Sequence, residues 1–239
     1  MKKLFVIAIT LAVLTIGCKE KKSESLNYND SDPIEMTLRD YHKVDASSDY
    51  SITYTSADEL IVEPNNGNLY GKNVGETQIT LDNGYETKTV DVNVALFKEP
   101  TFEFGCDQNR IKSLYGEPYY SYGDSIYIYG AHDPGYSYAC WQMNFFFNEN
   151  GYNESDVYIL NSFEYLLNLY LDENFAFDSI IQNDSIDYHM YHNRLDNTIK
   201  CGKIYEANQW DDICLFYFKS NGKGYLPKRH NVEFSDFSR

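Results

Sequence analysis

The histidines and carboxylates of this chain are the side chains that could bind a metal ion or act as general acids and bases. His189 and His192 lie three residues apart in a predicted strand, so they would point to opposite faces and share no metal ion. The short motifs of serine hydrolases, zinc proteases and nucleotide-binding loops are absent from the sequence. We therefore predict no catalytic residue, metal site or cofactor. A hydrolase that uses a carboxylate pair is an alternative, but carboxylates are so frequent that a pair such as Asp211 and Asp212 does not by itself indicate acid and base catalysis.

Tyrosine is unusually frequent, with 23 copies among the 239 residues. A tyrosine ring offers rigid contact area and a hydroxyl group, which suits protein interfaces and sugar stacking alike. Because many of the rings crowd into one stretch, we predict a binding face there. The alternative is that these rings only cover the helix-facing side of a sheet. The predicted face consists of Tyr119, Tyr120, Tyr122, Tyr127, Tyr129, Tyr136, Tyr138, Trp141 and Trp210.

The first seventeen residues have the form of an export signal. Two lysines precede an apolar run over residues 4–16, which is too short to span a bilayer with ordinary flanks. The run ends in Leu-Thr-Ile-Gly-Cys at residues 14–18, which resembles the lipobox of bacterial lipoproteins. The resemblance implies that residues 1–17 are removed and that acyl chains on Cys18 anchor the mature protein to a membrane. A plain secretory signal, in which Cys18 is incidental, is the alternative.

The residues after Cys18 bear on where the protein is held. Lys19 replaces the Asp that favours inner-membrane retention in enteric lipoproteins, so resemblance to that sorting pattern implies the outer membrane, facing either the periplasm or the outside. Residues 18–33 contain few apolar side chains and predict a flexible tether. Residues 222–239 predict a polar C-terminal tail.

The overall charge excludes one class of partner. The chain has 20 basic and 36 acidic side chains, and its formal net charge is −16. This sign opposes binding to a phosphate backbone, so nucleic acid is not an expected partner. With 43% apolar residues, the chain can form one or two domains, each with its own core.

The other four cysteines are Cys106, Cys140, Cys201 and Cys214. An even number of cysteines beyond an export signal predicts up to two disulfide bonds, with three ways of pairing them. We expect Cys201 to pair with Cys214, because the predicted strands that carry them would form a hairpin that sets the two opposite each other. Buried free thiols are the alternative.

Residues 34–97 have the pattern of short strands and turns. Val90, Val92 and Val94 alternate with polar residues, which predicts a half-buried strand. Together with the segments 52–59, 66–71 and 74–80, this strand resembles the bacterial Ig-like domain of group 2. The resemblance implies an immunoglobulin-like sandwich of a kind found in bacterial surface proteins, where it serves as a spacer or a binding module.

Residues 98–221 predict an α+β domain, with helices on one face of an antiparallel sheet. One helix is capped by Asp107 and ends at Gly116, and a second begins at Asn161. The predicted strands cover residues 125–129, 138–147, 156–160, 185–191, 198–206 and 213–219, with a turn at 148–151. The order of one helix followed by several strands occurs twice, which suggests an internal repeat. The arrangement resembles BamE-type lipoprotein domains and the β-lactamase-inhibitor-protein fold, which implies binding to other proteins without catalysis.

The sequence therefore predicts an all-β Ig-like sandwich followed by an α+β domain, in a lipid-anchored protein of the bacterial cell envelope. The leading hypothesis is a non-enzymatic protein-interaction role, with the first domain as a stalk. Glycan binding at the cell surface by the tyrosine-rich face is the second hypothesis, and a hydrolase is the third. A flat apolar patch would favour the first hypothesis, coplanar exposed rings the second, and acids in a cleft the third.

Overall fold

The computed structural model describes residues 23–30, 32–130, 139–183, 186–205 and 212–220. This part of the chain is mostly β structure, arranged mainly in antiparallel sheets. Within these ranges, no helix is long and apolar enough to cross a bilayer. The predicted signal, the lipidation residue Cys18 and the predicted tail over residues 222–239 lie outside the described residues.

The first part of the chain forms short strands that build two facing sheets. The strands are β1 (Asn27–Tyr28), β2 (Ile34–Thr37), β3 (Tyr41–Lys43), β4 (Ala46–Ser47), β5 (Thr53–Ser56), β6 (Val62–Asn65), β7 (Asn68–Gly71), β8 (Gly75–Asp82) and β9 (Thr87–Ala95). A four-stranded sheet has the order β2-β9-β8-β5, in which β2 runs parallel to β9. A three-stranded sheet has the order β3-β7-β6, and β1 pairs with β4.

Alternation along β9 builds the core of this first part. Val90, Val92 and Val94 are buried, as their period of two predicts. They share one buried cluster with Val62 and Leu69 of the three-stranded sheet. The two sheets therefore pack face to face.

The predicted tether over residues 18–33 is shorter than expected. Leu26 is buried in the core of the first part, its backbone N–H donates to the Glu86 carboxylate at 2.7 Å, and β1 pairs with β4. A single leucine in a polar segment gives little indication of structure in the sequence. Burial of its side chain nevertheless stabilises the folded state by about 2 kcal/mol. From Leu26 onward the segment belongs to the fold.

The second part contains two helices and one large sheet. The elements are α1 (Gln108–Tyr115), β10 (Tyr120–Tyr122), β11 (Ile126–Gly130), β12 (Cys140–Asn148), β13 (Gly151–Ile159), α2 (Glu164–Asn174), β14 (Phe175–Asn183), β15 (Ile186–Asn193), β16 (Ile199–Tyr205) and β17 (Ile213–Lys219). The eight strands have the order β10-β11-β12-β13-β17-β16-β15-β14, and all neighbours are antiparallel. Each helix thus precedes a four-stranded meander, and β13 and β17 join the two meanders.

The first helix has the boundaries that its capping residues predict. The Asp107 carboxylate accepts the backbone N–H of Arg110 at 2.9 Å, and Gly116 ends the helix with a φ of 82°. The second helix starts with a 3₁₀ turn over Asn161–Phe163, so its α-helical part begins three residues later than predicted.

Both helices pack on the same side of the eight-stranded sheet, which we call the first face. Ile111 of α1 and Leu171 of α2 share a buried cluster with Tyr217 of β17. Phe216 and Phe218, the neighbours of Tyr217 in β17, belong to a separate cluster on the opposite side, the second face. The period of two along β17 therefore separates the two faces.

The predicted disulfide between Cys201 and Cys214 is wrong, because none of the four cysteines beyond residue 100 takes part in a disulfide bond. The register sets Cys201 opposite Tyr217 and Cys214 opposite Ile204. The hairpin is therefore centred further along the chain than predicted, which moves the partner of Cys201 by three residues. Because an odd shift exchanges the faces, Cys201 lies on the first face and Cys214 on the second.

Candidate functional site

Two tyrosines of the predicted binding face belong to the core instead. Tyr127 and Tyr129 of β11 are 6% and 0% exposed and join the first-face cluster. The Tyr129 hydroxyl donates to the carbonyl of Gly116, at the end of α1, at 3.1 Å. The alternation in β11 places the tyrosines on the side that the helices cover, so this part of the predicted face is a packing surface.

The remaining described members of the predicted face do not form a flat platform. Tyr119 and Tyr120 are exposed, and the rings of Tyr120 and Tyr122 meet at 4.9 Å with an interplanar angle of 73°. Trp141 is half-buried, and its indole N–H donates to the Asp212 carboxylate at 2.9 Å. Three members, Tyr136, Tyr138 and Trp210, lie outside the described residues.

A different surface combines exposed apolar side chains with an open strand edge. Strand β14 is a terminal strand of the eight-stranded sheet and pairs with β15 alone among the described strands. Phe177, Ile180, Ile181 and Ile186 of this hairpin are 56%, 51%, 38% and 39% exposed. We call these four residues the apolar edge patch.

The patch is exposed because the hairpin extends beyond the elements that cover the rest of the sheet. Phe175, at the start of β14, is 1% exposed and packs in the first-face cluster with α2. Strand β16 pairs with β15 over residues 189–192, so among the described strands none lies beside the far end of the hairpin. A two-stranded ribbon cannot bury its own apolar side chains on either face.

The patch has members on both faces of the sheet. Phe177 lies opposite Tyr191, which packs against the first-face cluster, whereas Ile181 lies opposite Tyr188, which belongs to the second-face cluster. A partner strand that pairs with β14 would therefore meet apolar side chains on both of its own faces.

Few charges protect this edge against pairing. Natural edge strands are often blocked by lysines, prolines or bulges. The sequence of β14, FAFDSIIQN, has no lysine or proline, and its pairing with β15 is irregular only at Asp178, between Phe177 and Ser179. From Ser179 onward the register is regular, so the outer backbone groups of β14 form a template for another strand.

The single carboxylate of β14 is held by neighbouring strands. The Nζ of Lys200 lies 2.9 Å from one Asp178 oxygen, and Nδ1 of His192 lies 2.6 Å from the other. Burial acts to raise the pKa of Asp178, but the hydrogen bonds from Lys200 and His192 outweigh it and leave the pKa below its ordinary value. Asp178 is therefore ionised and paired, and it adds no isolated charge to the patch.

Sequence reasoning missed β14 as an element. The residues Phe175, Phe177, Ile180 and Ile181 follow directly after α2, and their aromatic and β-branched character was the available signal. Their position at a sheet edge depends on the order of all eight strands, which no local pattern contains.

A second concave feature lies between the first part of the chain and α2. This groove has a volume of about 1140 Å³, and Glu35, Glu76, Glu99 and Glu173 are among its lining residues. The Tyr170 hydroxyl donates to the Glu99 carboxylate and lies 3.3 Å from the Tyr217 hydroxyl. Burial raises the pKa of Glu99 above its ordinary value, and the hydrogen bond from Tyr170 opposes this only in part.

Replacing Glu99 with glutamine is expected to stabilise the protein at neutral pH. Because the pKa of Glu99 is raised in the folded state, its stabilising contribution is complete below the ordinary carboxyl pKa and is lost as pH rises through the raised value. Glutamine keeps a hydrogen-bond acceptor for Tyr170 and removes the ionisation. The measurement is the melting temperature of the variant and of the wild type as a function of pH. The melting temperature of the Glu99→Gln variant should exceed that of the wild type only at the higher pH values.

Glu103→Gln is the matched control for this prediction. The hydrogen bond from Arg110 lowers the pKa of Glu103, so its ionised form is favoured by folding. Replacing Glu103 with glutamine should therefore not raise the melting temperature at neutral pH. Equal melting temperatures for Glu99→Gln and wild type across the whole pH range would show that burial of Glu99 does not oppose its ionisation.

Comparisons with known proteins do not show a family for this chain. No protein-family model matches it, and no curated protein matches it. Among solved structures, domains 5-6 of the S-layer protein SbsC match at 11% identity over 84% of this chain and 86% of that chain, with a TM-score of 0.27. A likeness at this TM-score does not bear on the fold or the function.

Proposed function

We propose that this chain is a lipid-anchored protein of the bacterial cell envelope that binds another protein by adding a strand to β14. The observation that carries the proposal is the apolar edge patch beside an open, regular strand edge. Strand addition uses main-chain hydrogen bonds for affinity and alternate side chains for specificity. The patch supplies the apolar contacts, and the outer edge of β14 supplies the backbone groups.

The anchor and the stalk complete the proposal. The lipobox resemblance at residues 14–18 supports lipidation of Cys18. Chain order then places the first part between the lipid and the eight-stranded sheet, as a stalk would be. The facing four-stranded and three-stranded sheets support an Ig-like sandwich for that part, and the shared first-face packing of α1 and α2 supports an α+β domain for the second.

The geometry favours protein binding over glycan binding. Sugar rings stack on exposed aromatic faces, whereas Tyr120 and Tyr122 meet edge to face and Tyr127 and Tyr129 are buried. The strong negative charge of the chain favours partners of neutral or basic character, because like charges slow association. The expected partner is therefore an envelope protein that offers an extended, largely apolar and non-acidic segment.

Lysine substitutions at Ile180 and Ile181 of the patch should strongly reduce capture of this partner. Soluble protein starting at Ser23 would be used as bait for detergent-solubilised envelope, in parallel with the Ile180→Lys/Ile181→Lys variant. We expect the variant to capture at least about tenfold less of the partner, because a buried lysine opposes pairing at the patch. The measurement is quantitative mass spectrometry of the captured proteins, followed by titration of the purified partner.

Leu195→Lys is the matched control, since Leu195 is 98% exposed and lies outside the patch. This variant should capture the partner as the wild type does. Equal capture by the wild type and the patch variant would refute binding at β14, and recovery of a glycan alone would support the second hypothesis instead.

A further inference from the structure

The groove between the first part of the chain and α2 has two walls of different chemistry. One wall is the outer surface of the four-stranded sheet, where Glu35 of β2, Asn93 of β9 and Glu76 of β8 lie side by side in register. In each strand these positions alternate with buried ones, so the three side chains point away from the core of the first part. This sheet wall is therefore polar and acidic.

The other wall of the groove is one face of α2. Leu167 and Leu171 are buried in the first-face cluster, whereas Leu166 and Leu169 line the groove. Residues three apart on a helix share a face, so these two leucines lie next to each other. Leu169 is 43% exposed. This helix wall therefore presents apolar surface to the groove.

The carboxylates of the sheet wall are spaced for a ligand with several positive charges. Glu35 and Glu76 lie on the two sides of Asn93, and two strand spacings place their Cα atoms about 10 Å apart. Among the described residues, no three His, Cys, Asp or Glu side chains are grouped so that they could hold one metal ion. Alternate side chains of an extended peptide recur about every 7 Å, and lysine and arginine are long enough to cover the difference.

An unpartnered hydroxyl group on the sheet wall also indicates a ligand. Thr37 follows Glu35 by two residues in β2, lines the groove and is 7% exposed. Its Oγ1 is buried and has no hydrogen-bond partner among the described residues. A buried hydroxyl without a partner opposes folding. Because the alternation in β2 directs Thr37 to the groove side, a polar backbone group of an occupant can supply the missing partner.

We infer that the groove binds an extended protein segment in which basic side chains alternate with apolar ones. The basic side chains contact Glu35 and Glu76 on the sheet wall, and the apolar side chains contact Leu166 and Leu169 on the helix wall. A backbone group of the segment bonds to Thr37. The alternation follows because successive side chains of an extended chain point to opposite sides. No residue of β14 lines the groove, so this site is independent of strand addition at β14.

Fluorescence anisotropy with a labelled probe peptide tests the site. Lysine and leucine alternate in the probe, and a reference peptide has glutamate in place of each lysine. Soluble protein starting at Ser23 should bind the probe and not the reference. For the Glu35→Lys/Glu76→Lys variant, we expect the dissociation constant of the probe to rise at least about tenfold, because like charges then face the lysines. Both side chains are exposed, so the variant should fold as the wild type does.

Glu59→Lys/Glu149→Lys is the matched control, since it changes the net charge equally at two exposed carboxylates outside the groove. At physiological salt it should change the dissociation constant by less than about threefold. Equal weakening by the two double variants would overturn the inference, because general attraction to an acidic protein would then explain the binding. Failure of the wild type to bind the probe would overturn it as well.

The edge variant separates this inference from the proposed function. The Ile180→Lys/Ile181→Lys variant changes β14 and leaves the groove intact, so it should bind the probe as the wild type does. Loss of probe binding in this variant, with full binding by Glu35→Lys/Glu76→Lys, would place the probe at β14 and overturn the groove as its site.

Two single substitutions distinguish a peptide from a polyamine in the groove. Thr37→Val removes the unpartnered hydroxyl group, and Leu169→Gln removes the exposed apolar side chain. We expect each to weaken the probe by about threefold or more without lowering the melting temperature of the free protein. Spermine should bind more weakly than the probe. If spermine bound as tightly and neither substitution weakened the probe, the assignment to a peptide would be overturned.

Discussion

Alanine at Gly202 is expected to destabilise the fold by about 3 kcal/mol, because its added carbon has no space. A Cβ at Gly202 would lie 1.9 Å from Cζ of Phe216, the residue directly opposite it on β17. Phe216 is fully buried, between the rings of Tyr188 and Phe218, so it cannot move aside without disturbing the second-face cluster. Chemical denaturation followed by circular dichroism measures the change.

Gly130→Ala is the matched control for this effect. Gly130 lies in β11 of the same sheet, and a Cβ there would meet nothing within 4 Å. Its replacement should change the free energy of unfolding by less than about 0.5 kcal/mol. A Gly202→Ala variant as stable as Gly130→Ala would mean that the Phe216 ring does not cover Gly202 in solution.

Serine at position 18 is expected to release the protein from the membrane almost completely. The proposed anchor depends on acyl chains attached to Cys18, and stable membrane attachment requires more than one chain. Serine has no thiol to acylate, so the variant keeps the apolar signal but loses the anchor. Fractionation of cells into membrane and soluble parts, with mass measurement of the N-terminal peptide, tests this expectation.

Serine at Cys106 is the control for the membrane experiment. Cys106 is a free, half-buried thiol of the second part, far along the chain from the signal, so its replacement should leave the protein with the membrane fraction. Full retention of the Cys18→Ser variant in the membrane, without an acylated peptide in the wild type, would exclude lipidation at Cys18.

Elements with a local signal could be predicted from the sequence. Asp107 and Gly116 bound α1 because capping depends on neighbouring residues only. The valines of β9 face the core because alternation is also a local property. Strands β15, β16 and β17 likewise lie within a few residues of their predicted positions.

Properties that depend on the assembled sheet could not be predicted in the same way. The pairing of Cys201 depends on the centre of a hairpin whose loop carries no tight-turn signal, and an error of three residues changed both its partner and the face. The alternation in β11 could not say whether Tyr129 or Ile128 faces the helices, because the answer depends on where α1 and α2 pack.

The candidate site shows the same limit most clearly. Phe177 and Ile180 have the character of core residues, and nothing local distinguishes them from Phe175, which is buried. They are exposed because β14 is the edge strand of the sheet, and because most of its length lies beyond the part that packs against α2. An edge is a property of the strand order, so the site became visible only with the topology.

The most direct test of the central proposal is backbone hydrogen exchange of the protein with and without its captured partner. Strand addition predicts that amides of β14 from Ser179 to Asn183 exchange more slowly in the complex, because those that face outward gain a hydrogen-bond partner. The exposed strand β10 at the opposite edge should exchange unchanged. Slower exchange at β10 or in the groove beside α2, with β14 unaffected, would contradict binding at the apolar edge patch.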